Sequence, residues 1–138
     1  MQVEERLMRY IAVKTPCDEN ADCVPTTTCQ FELAKILVEE LKELGIEDAK
    51  VDDHCFVYGT LKATSGYENR KKIGFIAHMD TVMDFPGKDI HPQFTKYYNG
   101  EDVKLGESGK VLSVKEFPHL KNMKGRTLIT TDGTTLLG

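Results

Sequence analysis

Lys71–Lys72–Ile73–Gly74–Phe75–Ile76–Ala77–His78–Met79–Asp80–Thr81 is the stretch on which the fold turns. An uncharged run, residues 73–77, lies between a lysine pair and a His-x-Asp step. Such a run, bounded by polar residues and followed by Pro86 and Gly87, reads as a strand buried on both faces. In open α/β sheets, ligands bind beyond the carboxyl ends of the strands. Side chains two apart on a strand point to the same side, so His78 and Asp80 are expected together at the strand mouth. An imidazole there is a candidate zinc ligand, and a neighbouring carboxylate is the usual partner that orients a ligating histidine.

The rest of the composition sets bounds on what that strand can serve. The chain has 138 residues, enough for one modest domain. Its 22 acidic and 18 basic residues leave a net charge of -4, which argues against a nucleic-acid partner. No apolar run reaches the length of about 18 residues that a membrane span needs, and the acidic start Met1–Gln2–Val3–Glu4–Glu5 does not read as a signal peptide. A cytoplasmic protein is expected. The four cysteines, Cys17, Cys23, Cys29 and Cys55, form no C-x-x-C pair and read as reduced, structural thiols.

Upstream of the strand, Val3, Leu7, Met8 and Ile11 repeat at helical spacing. That helix, over residues 3–13, must stop before Pro16. Thr27-x-x-Gln30 is a candidate capping box for a second helix over residues 28–44. Its apolar stripe is Phe31, Ala34, Leu37, Val38, Leu41 and Leu44, and Gly45 is placed to cap it. Residues 49–51 and 56–63 then read as strands, and 65–70 as a turn. Downstream, residues 84–109 read as one long irregular loop, a feature that is commonly functional. Residues 110–114 and 127–131 read as strands, 117–123 as a short helical turn, and Asp132–Gly133 as a turn. The fold class is α/β.

The order of these segments carries a resemblance. Residues 73–81 resemble the first metal-site motif of the co-catalytic zinc exopeptidases. Around them come Pro92–Gln93, Tyr98–Asn99–Gly100, Leu105–Gly106, Phe117–Pro118 and the closing string Thr127–Leu128–Ile129–Thr130–Thr131–Asp132–Gly133–Thr134–Thr135–Leu136–Leu137–Gly138. Together they are similar to the aminotripeptidase branch of that family over nearly the whole chain. The resemblance implies the N-terminal part of a zinc-exopeptidase catalytic domain, a mixed β-sheet flanked by helices. Residues 1–138 would be an incomplete catalytic domain, with a lid or dimerisation domain beyond them. It implies a metal-dependent hydrolysis that releases the N-terminal residue of tripeptides, two zinc ions per complete site, and a homodimer as one form of the complete protein. His78 would be a metal ligand. Asp80 would be the catalytic-site carboxylate that fixes its ring. The bridging aspartate and the general-base glutamate would lie beyond Gly138, so the 138 residues alone are expected to be inactive.

Two other readings stay open: a zinc dipeptidase or amide deacylase of the same family, and a non-catalytic module retaining this half. His54, His91 and His119 have no ligand spacing and read as surface or packing residues. Asp84 and Asp89 read as solvated or turn residues, and Asp132 as a turn residue first.

Overall fold

The computed structural model describes residues 1–137; Gly138, the end of the Thr/Gly-rich string, lies outside the described residues. Among the described residues two helices and six short strands follow one another, with a 3₁₀ helix before the last strand, a small mixed α/β structure. It divides into two compact units, Lys14–Thr81 and Met1–Val13 with the segment from Val82 onward.

In the first unit, helix α2 spans Gln30–Glu43. Its end is a full glycine cap: Gly45, at φ 89°, donates its N–H to Lys42 O at 2.9 Å, and Ile46 donates to Leu41 O at 2.9 Å. Those two bonds satisfy carbonyls that the helix cannot reach, and the left-handed residue between them favours glycine. The helix buries Gln30, Leu33, Ala34 and Glu40, while Phe31, Leu37, Val38 and Leu41 are half-buried. Leu44, expected in the stripe, is 54% exposed because it is the capping residue itself.

Helix α2 packs on an antiparallel pair, β1 (Lys50–Val51) and β2 (Val57–Tyr58), with Lys50 opposite Tyr58 and Val51 opposite Val57. The expected strand over 56–63 shortens to β2. Beyond it the Thr60 N–H turns to the Asp48 carboxylate at 2.8 Å, which ends the ladder.

The strand expected at residues 73–77 is a correction. The segment belongs to no ladder among the described residues. Ile73 is 80% exposed, Phe75 94% and Ile76 101%. A strand exists only through its neighbours, and none of the described segments pairs with this one. The run ends at one isolated parallel bridge, Pro16 with Thr81.

In the second unit, α1 spans Val3–Ile11. Its first turn is tied by the Gln2 N–H donating to the Glu5 carboxylate at 2.7 Å. Ile11 is buried and Val3 exposed. The long loop expected over 84–109 contains two strands, β3 (Gln93–Thr95) and β4 (Val103–Leu105), which is a second correction. Each is too short to show alternation, and β3 finds its partner far along the chain. It pairs antiparallel with β6 (Leu128–Thr130), Phe94 opposite Ile129. Strand β4 pairs with β5 (Lys110–Leu112) across a turn at Gly106–Glu107–Ser108–Gly109.

The core of this unit is Tyr98, Val103 and Leu120, against which Leu112, Val114, Met123 and Leu128 pack. Leu120 comes from the 3₁₀ helix Pro118–Met123. Tyr98 is held by its backbone as well: its N–H donates to Arg126 O at 2.9 Å, and Gly125 donates to Tyr98 O at 2.7 Å. The three ladders are not joined into one sheet among the described residues.

Candidate functional site

The local chain brings His78 and Asp80 together as the spacing predicts, though not on a paired strand. His78 Nδ1 lies 2.8 Å from the Asp80 backbone O and 3.3 Å from Asp80 Oδ1. A carbonyl oxygen only accepts, so Nδ1 carries the proton in this geometry. The neutral ring then presents Nε2 as its lone-pair nitrogen, the form in which an imidazole binds a metal. The His78 side chain is 82% exposed and that of Asp80 is 45% exposed, so Nε2 is open to an incoming group.

A chain of contacts inside the Lys14–Thr81 unit fixes the end of this segment. The Thr81 N–H donates to Thr15 O at 2.8 Å, and the Cys17 N–H donates to Thr81 O at 2.8 Å. Thr15 is buried. Pro16, between them, accepts at its carbonyl from Thr27 Oγ1 at 2.5 Å and from Gln30 Nε2 at 3.2 Å. Gln30 is the first residue of α2 and is buried. Thr27 and Gln30 are therefore linked, but not as a capping box. Their side chains meet at 3.2 Å and clamp the Pro16 loop rather than the helix N–H groups. The start of α2 thus anchors Pro16, Pro16 anchors Thr81, and Thr81 closes the segment that carries His78 and Asp80.

No group of three or more His, Cys, Asp or Glu side chains able to hold a metal exists among the described residues. His78 is therefore not part of any such group among the described residues. Catalytic zinc needs about three protein ligands. The pair fits a metal site as one corner of it: the donor atom is the right kind, its tautomer is set, and it is accessible.

The remaining candidates fall elsewhere. His54 stacks on Phe56 at 6.4 Å and sits in the turn held by Asp52 Oδ1, which accepts from the His54 and Phe56 N–H groups. His119 meets Phe117 edge-on at 6.3 Å. Asp84 is exposed. Asp89, at φ 54°, lies 3.8 Å from Lys88. The four cysteines are free, with Cys55 buried. A depression of about 660 Å³ over the β3–β6 pair is lined by Glu4, Phe94, Lys96, Thr127 and Ile129, with no histidine or cysteine among them.

Asp132 closes the turn that the Asp-Gly step predicts. Its Oδ1 accepts from Thr134 N at 2.9 Å and from Thr134 Oγ1 at 2.5 Å. These bonds, and the nearby His91, hold its carboxyl below the usual range. Gly133, at φ 85°, turns against the β4–β5 hairpin, where a Cβ would fall 2.6 Å from Ser108 Oγ and 3.1 Å from Leu105 Cβ. The Leu136 N–H then donates to Pro86 O at 2.9 Å. No signal in the sequence pointed to the Pro16–Thr81 bridge or to this packing of the two turns, because both join residues far apart in the chain.

No protein-family model matches the chain. Among curated proteins it is similar to peptidase T from Alkaliphilus oremlandii, 49% identical over 136 residues that make up 97% of this chain and 33% of that protein. Peptidase T from Geobacillus kaustophilus is 50% identical over 135 residues, again 97% of this chain and 33% of the relative. Peptidase T from Clostridium perfringens is 47% identical over 137 residues, 99% of this chain and 33% of the relative. The chain spans about a third of the length of the curated relatives it matches.

Proposed function

We propose that this chain is a portion of a peptidase T-like aminotripeptidase, a cytoplasmic metal-dependent hydrolase that releases the N-terminal residue of tripeptides. The observation that carries the proposal is the 49% identity to a peptidase T over 97% of the chain. The complete protein would be a zinc-exopeptidase catalytic domain with a mixed β-sheet, to which residues 1–138 contribute the first part. A lid or dimerisation domain and a homodimer belong to the same reading. No helix of the described residues is long and apolar enough to cross a membrane.

In that protein His78 Nε2 ligates one of two zinc ions. Asp80 is the positioning carboxylate: its backbone oxygen and Oδ1 both lie on the Nδ1 side of the ring. Holding the proton there keeps the lone pair on Nε2 and fixes the ring plane. Paired zinc ions supply a polarised carbonyl and an acidified water when bound. The remaining ligands and the general base come from the part of the protein outside this chain. With no group of three or more candidate ligands among the described residues, the 138-residue chain alone is inactive.

The test compares two purified proteins: the chain itself, and a chimera that continues it with the unmatched remainder of the Geobacillus kaustophilus relative. The chimera is expected to bind zinc stoichiometrically and cleave tripeptides, and His78→Ala is expected to abolish both. Asp80→Ala should weaken zinc binding by about 10- to 100-fold, the usual cost of losing a ligand's orienting partner. The chain alone should do neither. A chimera that folds but neither binds zinc nor cleaves a tripeptide refutes the proposal. Turnover by the short chain, lost in His78→Ala, refutes its inactivity.

A further inference from the structure

We infer that Gln30 is a positioning residue for His78: from the start of α2 it fixes the Asp80–Thr81 peptide plane, whose carbonyl holds the proton on His78 Nδ1. The use of that ring by zinc rests on the proposed function. The orientation itself is read from this chain's own atoms.

All the residues concerned lie in the Lys14–Thr81 unit. The nearer partner of His78 Nδ1 is not the Asp80 carboxylate, at 3.3 Å, but the Asp80 backbone O, at 2.8 Å. That oxygen shares a peptide unit with the Thr81 N–H. The unit is planar and trans, so its C=O and N–H point in opposite directions. The Thr81 N–H is aimed at the O of buried Thr15, 2.8 Å away. Aiming the N–H there turns the Asp80 carbonyl the other way, onto the imidazole. The Cys17 N–H, donating to Thr81 O at 2.8 Å, fixes the next peptide unit as well.

Pro16 lies between those two partners. The bridge uses the Thr15 carbonyl and the Cys17 amide, so Pro16 gives no backbone group to Thr81. Proline has no N–H. Its carbonyl accepts from Thr27 Oγ1 at 2.5 Å and from Gln30 Nε2 at 3.2 Å. Gln30 Nε2 also donates to Thr27 Oγ1, at 3.2 Å. A side-chain amide has two N–H donors, and both are taken. Gln30 is buried, where an unfilled donor is costly, so the clamp has one satisfied arrangement. It is also the first residue of a 14-residue helix. The Pro16 carbonyl is therefore set by a rigid element, and through Thr15 and Cys17 so is the Asp80–Thr81 plane. A glutamate at position 30 would have the same shape and no donor.

The test reads the His78 tautomer in the 138-residue chain by ring-nitrogen NMR, at about pH 8.5, where an imidazole is neutral. Gln30→Glu removes both donors, and an acidic residue suits the first turn of a helix. Thr27→Val removes the hydroxyl at equal size. Each is expected to lower the ratio of the Nδ1–H form to the Nε2–H form by about 5-fold, the worth of one neutral hydrogen bond. Each should also speed exchange of the Thr81 and Cys17 amides by about 5-fold, with the α2 amides from Leu33 onward unchanged. Thr27→Ser, which keeps the hydroxyl, should restore the wild-type ratio. If Gln30→Glu loses α2 protection, Thr27→Val decides. A ratio unmoved while the Thr81 amide exchanges faster overturns the inference. So does a ratio that falls with Asp80→Ala alone, which would assign the ring to the carboxylate. None of these readouts needs zinc or turnover. A shifted tautomer in a chain whose chimera binds no zinc supports the positioning role and refutes the functional proposal. An active chimera whose His78 tautomer ignores Gln30→Glu and Thr27→Val does the reverse.

Discussion

Ile76 and Leu33 lie in the same unit, and both are large apolar residues. Replacing each with alanine in the 138-residue chain separates the two. Leu33 is 7% exposed on the inner face of α2, so Leu33→Ala removes buried apolar contact and leaves a gap. Such changes cost about 2–5 kcal/mol. Ile76 is 101% exposed, and its truncation removes nothing that is buried in this chain. Surface changes of that kind stay within about 0.5 kcal/mol. Because the chain forms two units, the assay should report on the one that holds both residues. Urea denaturation followed by NMR through the α2 amides does so. With a slope of about 1–2 kcal/mol per molar urea, Leu33→Ala lowers the midpoint by at least about 1 M and Ile76→Ala leaves it in place. A comparable fall for Ile76→Ala would refute the exposed placement of residues 73–77 and restore a strand buried within this chain.

Two further predictions concern titration. The Asp132 carboxyl is held down chiefly by its hydrogen bonds from Thr134. A depressed folded value means that the bonds stabilise the turn above the ordinary carboxylate pKa of 3.8 and lose that effect as pH falls through the folded value. Thr134→Ala is expected to move the Asp132 titration upward, followed by NMR of its carboxyl carbon; an unmoved titration would rule out Thr134 as the main cause. Burial, and then Asp52, push the Cys55 thiol above its ordinary 9.0. Its contribution to stability is therefore present below pH 9.0 and declines as pH rises through the folded value. At pH near 8 the exposed Cys23 should be alkylated well before Cys55, as peptide mass mapping would record; equal rates would contradict the burial.

The two helices were legible in the sequence because their signals are local. Apolar spacing marks their inner faces, and Gly45 marks an end that the structure closes with two backbone bonds. The strands were legible only in part. Residues 110–114 and 127–131 contained β5 and β6. Strands β3 and β4 were hidden in an apparent loop, because three residues carry no periodicity and β3's partner lies far along the chain. Tyr98 illustrates the same limit. It looked like part of an irregular loop, yet it is 2% exposed and centres a core gathered from β4, β5, β6 and the 3₁₀ helix.

By itself the sequence determined that His78 and Asp80 lie close together, since only Met79 stands between them. It also predicted that residues 73–77 form a strand buried on both faces, which the exposure of Ile73, Phe75 and Ile76 contradicts. Tertiary structure decided what surrounds them. It ties Thr81 to Pro16 and, through Gln30, to α2, and it leaves Phe75 and Ile76 exposed. Hydrophobicity is a property of the residue, but burial is a property of what lies beside it.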